Sequence, residues 1–244
     1  MVAASDVVVS ILTDATAIAA AYDGAGGALS GGAAGKLFIE MSTVRPQAQI
    51  ALGERVRACR AALVECPVGG TVGPAREGKL LGLVGGDAVD VARARPVLEQ
   101  LCRRVEHVGA LGAGASMKLA INLPLLVYWQ ALAEALSLAQ PAQLDPARLM
   151  DILADTSGAP AILKLRAGAI ASTLGGANLG PAFFDIDTIR KDLRTMLEEA
   201  QALGAALPAT QATLAAFDAA SAAGMGNRDG AELAAWTLAQ GRPR

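Results

Sequence analysis

The chain is poor in the residues that metal and disulfide chemistry require. Its 244 residues include one histidine, His107, and three cysteines, Cys59, Cys66 and Cys102. An odd cysteine count without a CxxC spacing argues against a disulfide framework or a zinc site. A single histidine excludes a histidine-cluster metal centre within one chain. We therefore predict no metal site and a cytoplasmic protein, with His107 in a structural role.

Basic stripes, long apolar runs and a secretory signal are absent as well. The formal net charge is -2 and no segment concentrates lysine and arginine, so we expect no nucleic acid partner. No uninterrupted apolar run approaches the roughly 20 residues that span a bilayer. The first ten residues, MVAASDVVVS, lack a basic n-region. We expect neither a membrane partner nor secretion.

The first half of the chain alternates between two kinds of pattern. Hydrophobic residues make up 53% of the sequence, enough for a sizeable core. Short β-branched and apolar runs predict strands at 7–12, 37–41, 62–65, 80–84 and 105–108. Helical patterns separate several of them, at 15–22, 46–60 and 88–103. This alternation predicts an open α/β sheet.

The second half contains no convincing strand pattern. Helices are predicted at 114–140, 145–156, 160–172, 187–203, 208–223 and 229–240. Asp145 followed by Pro146 is a helix start signal, and Gly204 and Gly224 are plausible helix ends. The change of character predicts two domains, an α/β domain over residues 1–111 and an all-helical domain over residues 112–244.

The stretch GALGAGASMKLAIN, residues 109–122, is the most unusual text in the chain. It fails the P-loop pattern because Ala115 follows the second glycine, and it fails GxGxxG because Met117 stands at the third glycine position. In the first turn of a helix, Lys118 faces the positive end of the dipole, which is expected to lower its pKa and suit it to proton transfer. Asn122, four residues on, shares its helix face. On the residues alone, a solvated surface lysine remains an equal alternative.

Four segments, in order, resemble the β-hydroxyacid dehydrogenase family, which includes 3-hydroxyisobutyrate dehydrogenase and relatives of 6-phosphogluconate dehydrogenase. Met41-Ser42-Thr43-Val44 looks like the Ser-Thr segment beside the nicotinamide. Cys66-Pro-Val-Gly-Gly-Thr71 looks like the substrate loop. Gly112-Ala-Gly114 with Lys118 and Asn122 matches the family's catalytic motif. Lys191-Asp192-Leu193 looks like the cofactor segment of the helical domain.

The resemblance implies a Rossmann-like α/β domain, N-terminally incomplete, joined by a long helix to an all-α domain. It implies an oxidoreductase using NAD or NADP on a small hydroxy acid, with Lys118 as general acid/base and Asn122 positioning the substrate. Substrate contacts are expected at Gly69, Gly70 and Thr71. Cofactor contacts are expected at Leu12, Thr13, Ser42, Thr43 and Lys191.

The chain departs from the family pattern in several places. It has no GxGxxG after its first strand and no counterpart of the first βαβ unit, which predicts an exposed sheet edge or apolar face. A truncated start is favoured over a partner strand that fills the gap and over a loss of cofactor binding. A non-catalytic paralogue or fragment, acting as a binding or oligomerisation module, is the alternative function. Gly69 stands where many members have serine, and Pro124 predicts a kink in the catalytic helix that re-aims Trp129.

Two further expectations concern Glu65 and the assembly. Glu65 occupies a position where the family often has aspartate, and a strand-end cap or a solvated residue is favoured there over a catalytic acid. The apolar helical half, rich in alanine and leucine, predicts a homo-oligomer.

Overall fold

The computed structural model describes residues 2–240, whose contacts divide into two compact units between Ile121 and Asn122. The boundary predicted from the sequence lies ten residues earlier, between residues 111 and 112. Residues 112–121 were therefore predicted to belong to the helical domain, whereas their contacts place them in the first unit. Each unit is described below by itself.

The first unit contains a six-stranded sheet. Its strands are β1 (Val7–Ser10), β2 (Leu37–Glu40), β3 (Ala62–Glu65), β4 (Val68–Gly69), β5 (Leu80–Gly85) and β6 (Cys102–Gly109). Strands β1, β2 and β3 are parallel, and Ser10, Glu40 and Glu65 are in register at their carboxyl ends. Strand β5 runs antiparallel to β3 and β4 and parallel to β6. The predicted α/β fold is confirmed, with a mixed sheet.

Helices cover both faces of this sheet. They are α1 (Ala15–Tyr22), α2 (Pro46–Ala58), α3 (Val72–Arg76) and α4 (Ala88–Leu101). Successive side chains of β2 enter different cores: Leu37 and Ile39 pack with Leu98 of α4, whereas Phe38 packs with Leu52 of α2. Burial on both faces explains why this strand reads as an unbroken apolar run.

The outer edge of the sheet is β1, which pairs with β2 alone among the described strands. Its Val9 is 45% exposed, and Ile11 just beyond it is 64% exposed. The strand therefore presents an unpaired backbone edge and apolar side chains.

A long helix, α5 (Ala113–Ala139), carries the unusual motif and runs unbroken through Pro124. The predicted kink at Pro124 stays a prediction. Within 113–142, an 18-residue window has a mean hydropathy of 1.4 and is 39% buried. By length and composition this helix could cross a membrane, although the sequence contains no uninterrupted apolar run of that length. The core helix of a soluble protein meets the same criteria.

The second unit is helical. Besides its part of α5 it contains α6 (Pro146–Ala154), α7 (Ala161–Leu174), α8 (Ile186–Ala202), α9 (Pro208–Ala220) and α10 (Leu233–Gln240). The Asp145 carboxylate accepts hydrogen bonds from the backbone N–H groups of Ala147 and Arg148, which confirms the predicted start signal. Gly204 follows the end of α8 with φ +68° and stops the helix as predicted.

Candidate active site

Residues predicted to contact the cofactor meet at the carboxyl ends of β1 and β2. The Leu12 backbone N–H donates to the Ser42 hydroxyl at 2.7 Å, and the Ser42 N–H donates to Glu40 Oε1 at 2.6 Å. Ser42 is buried, Thr43 is half-buried and Thr13 is exposed. The serine thus ties the turn after β1 to the end of β2 and fixes the shape of this edge.

A buried carboxylate that the sequence analysis missed supports this edge. Glu40 is fully buried and also accepts a hydrogen bond from the Ser10 hydroxyl at 3.0 Å, which in turn lies 2.6 Å from the Tyr22 hydroxyl. Burial raises the pKa of Glu40 and of Tyr22. The signal available in the sequence was an acidic residue at the end of the apolar run of β2, which has the sequence LFIE.

The same edge carries neutral polar groups at Ser42 and Thr43. Their hydroxyl and backbone groups can form hydrogen bonds to a polar ligand. The N-terminus of α1 is capped instead by the Asp14 carboxylate, which accepts the Ala17 N–H at 2.8 Å. That carboxylate opposes a phosphate there, and residues 2–240 contain no GxGxxG that could hold one.

The predicted substrate loop turns tightly between β4 and α3. Gly70 has φ +129°, and a Cβ there would lie 2.7 Å from Leu80 Cδ2, so the turn requires glycine. A Cβ on Gly69 would lie 3.5 Å from Ile121 Cδ1, an ordinary contact that leaves room for a side chain. Thr71 is exposed at the start of α3. Gly69 therefore lies against α5, next to the turn that carries Lys118.

Lys118 and Asn122 lie one turn apart on α5. Their exposed fractions are 8% and 7%, so the solvated-lysine alternative is wrong. Residues three or four apart share a helix face, which gives an amine and an amide a common orientation. Cys66, in the predicted substrate loop, is a poor nucleophile, because a hydrogen bond to Cys102 and burial raise the pKa of its thiol.

Glu65 is not exposed to solvent, and its carboxylate does not bond to the end of the strand that carries it. Its fully buried carboxylate accepts three backbone N–H groups at the start of α5: Gly112 at 2.5 Å and Gly114 at 2.9 Å to Oε1, and Ala115 at 3.2 Å to Oε2. Burial raises its pKa to about 7, against the opposing effect of these hydrogen bonds. Glu65 therefore acts as a cap, but for the helix α5, whose preceding residue Gly112 lies 47 residues later in the chain.

In the second unit, Asp192 on α8 links the two remaining predicted residues. The Asn122 side-chain amide donates to Asp192 Oδ2 at 3.2 Å, and Lys191 Nζ lies 2.5 Å from Oδ1. Asp192 is 2% exposed, which excludes a simple surface role for it. The carboxylate orients both the amide and the amine.

We find no candidate metal site in the part of the chain that the structure describes. There, no group of three or more histidine, cysteine, aspartate or glutamate side chains is arranged to hold a metal ion. The polar groups described above are thus an amine, an amide, hydroxyls and carboxylates.

Two family models match consecutive parts of the chain. Residues 1–109 match the NAD binding domain of 6-phosphogluconate dehydrogenase. Residues 112–237 match the NAD-binding domain of NADP-dependent 3-hydroxyisobutyrate dehydrogenase. The two matches meet at the glycine-rich stretch before α5.

Individual relatives agree with these models. The chain is 35% identical over 213 residues to 3-hydroxyisobutyrate dehydrogenase of Pseudomonas aeruginosa, covering 84% of this chain and 69% of that protein. It is 29% identical over 229 residues to 2-(hydroxymethyl)glutarate dehydrogenase of Eubacterium barkeri, covering 93% and 74%.

Solved structures share the fold. The 3-hydroxyisobutyrate dehydrogenase of Mycobacterium tuberculosis, solved with L-serine, superposes with a TM-score of 0.80 at 26% identity, covering 96% of this chain and 79% of that one. The Salmonella typhimurium enzyme of the same name superposes with a TM-score of 0.84 at 22% identity, covering 96% and 80%.

Proposed function

Because the chain belongs to the β-hydroxyacid dehydrogenase family, whose members are NAD(P)-dependent oxidoreductases, we propose that it interconverts a small hydroxy acid and its semialdehyde or keto form. Lys118 is the general acid/base of this proposal. The single observation that carries it is the burial of Lys118 and Asn122 on one face of α5, beside the loop at Gly69.

Each residue has one task in this mechanism. Lys118 protonates the carbonyl oxygen during reduction and removes the hydroxyl proton during oxidation. Asn122, held by Asp192, orients the reacting oxygen. Backbone N–H groups at Gly69 and Gly70, with the Thr71 hydroxyl, hold the substrate carboxylate, since glycine lets an anion approach closely.

The cofactor is NAD or NADP, and when bound its nicotinamide donates or accepts the hydride. We propose that Leu12, Thr13, Ser42 and Thr43 hold the nicotinamide end. Lys191, which is only partly buried, is proposed to contact the cofactor as well. A cytoplasmic location and a homo-oligomeric state belong to the same proposal.

Replacing Lys118 with alanine tests the catalytic assignment. We expect kcat/KM to fall by roughly 100- to 10,000-fold, because a positioned proton donor contributes about that much. Cofactor affinity, measured by calorimetry, is expected to stay within twofold of the unsubstituted chain. The matched control is Lys164→Ala on an exposed face of α7, which is expected to leave turnover unchanged.

Two outcomes would contradict this proposal. Turnover that survives Lys118→Ala would remove the lysine from the mechanism. Absence of both cofactor binding and turnover in the unsubstituted chain would favour the alternative, a non-catalytic binding or oligomerisation module. The exposed edge of β1 and the absence of GxGxxG are the observations that favour that alternative.

A further inference from the structure

The start of α5 lacks a capping side chain of its own. A helix leaves its first four N–H groups without intrahelical partners, and the residue before the first turn usually satisfies some of them. Here that residue is Gly112, which has no side chain. The Ala113 N–H bonds to the Ala110 carbonyl, and the N–H groups of Gly112, Gly114 and Ala115 all go to Glu65.

Two glycines leave the space that this arrangement needs. A Cβ on Gly85 would lie 2.2 Å from Glu65 Oε1 and 2.7 Å from the Ala110 carbonyl oxygen. A Cβ on Gly114 would lie 2.4 Å from the Leu83 carbonyl oxygen and 3.2 Å from Glu65 Cδ. The first turn of α5 is therefore packed directly on β5 and on the Glu65 carboxyl group, with no slack for a methyl group.

We propose that Glu65 is a positioning residue, whose carboxylate holds the first turn of α5 against β3 and β5 and thereby fixes the location of the Lys118 amine. Lys118 follows Ala115 by three residues, so a shift or fraying of the first turn moves the amine with it. Small displacements of a reacting group cost large factors in rate. The inference rests on the proposed function in assigning proton transfer to Lys118.

The role depends on the ionised form of Glu65. An ionised carboxylate accepts hydrogen bonds at both oxygens. In the protonated acid, one oxygen carries a hydrogen, and this O–H donor would face N–H groups that are donors themselves. The titratable groups that interact with it electrostatically are Glu40 on β2 and Cys66, the next residue in the chain. On β6, the His107 ring contacts the Gly86 and Gly109 carbonyls, and β5 carries no titratable side chain.

Glu65→Gln is the direct test, since glutamine keeps the size but presents an amide donor to the three N–H groups. We expect kcat to fall by roughly 10- to 100-fold with cofactor affinity within twofold. The unsubstituted chain is expected to lose kcat/KM as pH falls through about 7, and this acid limb is expected to be absent in Glu65→Gln. Glu65→Asp keeps the carboxylate and is expected to retain both the limb and most of the activity. Glu99→Gln, on the exposed face of α4, is the control.

A double substitution separates this inference from the proposed function. If Glu65 acts through Lys118, Glu65→Gln/Lys118→Ala is expected to have the same kcat as Lys118→Ala alone. Multiplicative losses in the double variant would overturn the positioning role while leaving the proposed function intact. Full turnover in Lys118→Ala would overturn the proposed function instead.

Two measurements without turnover complete the test. Amide hydrogen exchange is expected to accelerate at least tenfold in residues 112–116 of Glu65→Gln, with α4 unchanged. Competitive acetylation with acetic anhydride, read by mass spectrometry, is expected to change at least twofold at Lys118 and to stay constant at Lys164. Unchanged exchange and unchanged Lys118 labelling would overturn the inference.

Discussion

Two fully buried carboxylates, Glu40 and Glu65, end neighbouring strands in register. Burial raises the pKa of both, and the charge of Glu40 adds to the cost of ionising Glu65. Glu65 recovers part of this cost through three backbone N–H groups. The ionised form that the positioning role requires is thus the form that is costly to bury, so activity and stability oppose each other at this residue.

This opposition predicts how stability depends on pH. Because the pKa of Glu65 is raised from 4.5 to about 7 on folding, the folded state retains a proton that the unfolded state releases between these values. The stabilising contribution is therefore present below about pH 4.5 and is lost as pH rises through 7, by about 3 kcal/mol. Urea unfolding at pH 5 and pH 8 is expected to show this loss in the unsubstituted chain and not in Glu65→Gln. Parallel pH dependences would contradict the assignment, and Glu99→Gln is the control.

At the scale of single elements, the same substitution is expected to have opposite effects in two helices. A Cβ on Gly168 of α7 meets no atom within 4 Å, so Gly168→Ala is expected to stabilise by about 0.5–1 kcal/mol through helix propensity. Gly114→Ala in α5 is expected to destabilise by about 1–3 kcal/mol, because its Cβ would meet the Leu83 carbonyl oxygen at 2.4 Å. Thermal unfolding of the two variants checks both signs, and equal signs would refute the close packing of α5.

Elements that local chemistry determines could be predicted from the sequence. The strand predicted at 7–12 forms over Val7–Ser10, and Asp145-Pro146 starts a helix as predicted. Strand β4 and helix α3 were not predicted, because two residues of strand and five of helix carry no periodicity. Strand β4 is defined by its antiparallel pairing with β5, in which Val68 lies opposite Gly82 and Gly69 opposite Leu81. These pairs are separated in the sequence, so no local pattern indicates the strand.

For the molecule as a whole, the predicted homo-oligomer remains to be measured. Exposed apolar side chains in the second unit include Leu138 at 85% and Leu165 at 81%. We expect light scattering to give a mass that is a multiple of one chain, because such side chains favour association. Leu138→Glu/Leu165→Glu is expected to lower that mass, whereas Val89→Glu, on an exposed site of the first unit, is not. A single-chain mass in the unsubstituted protein would refute the prediction.

The candidate site was only partly predictable at this scale. Lys118, Asn122 and Lys191 stand in motifs that a family resemblance brings together, and the structure finds Lys118 and Asn122 buried. Glu65 and Asp192 could not be assigned their contacts in advance. The N–H groups that donate to Glu65 lie 47 to 50 residues away, and the Asn122 amide lies 70 residues from Asp192. No local pattern encodes which helix end or amide each carboxylate meets.

The distant cap on α5 also has a consequence for the order of folding. Helices α6 and α8 begin at aspartates next to them in sequence, so their first turns can close without other elements. The first turn of α5 needs a side chain up to 50 residues away, and closing so long a loop is entropically costly. We therefore expect the N-terminal turn of α5 to become ordered only once β3 has joined the sheet. On that expectation, the Lys118 amine reaches its native position late in folding.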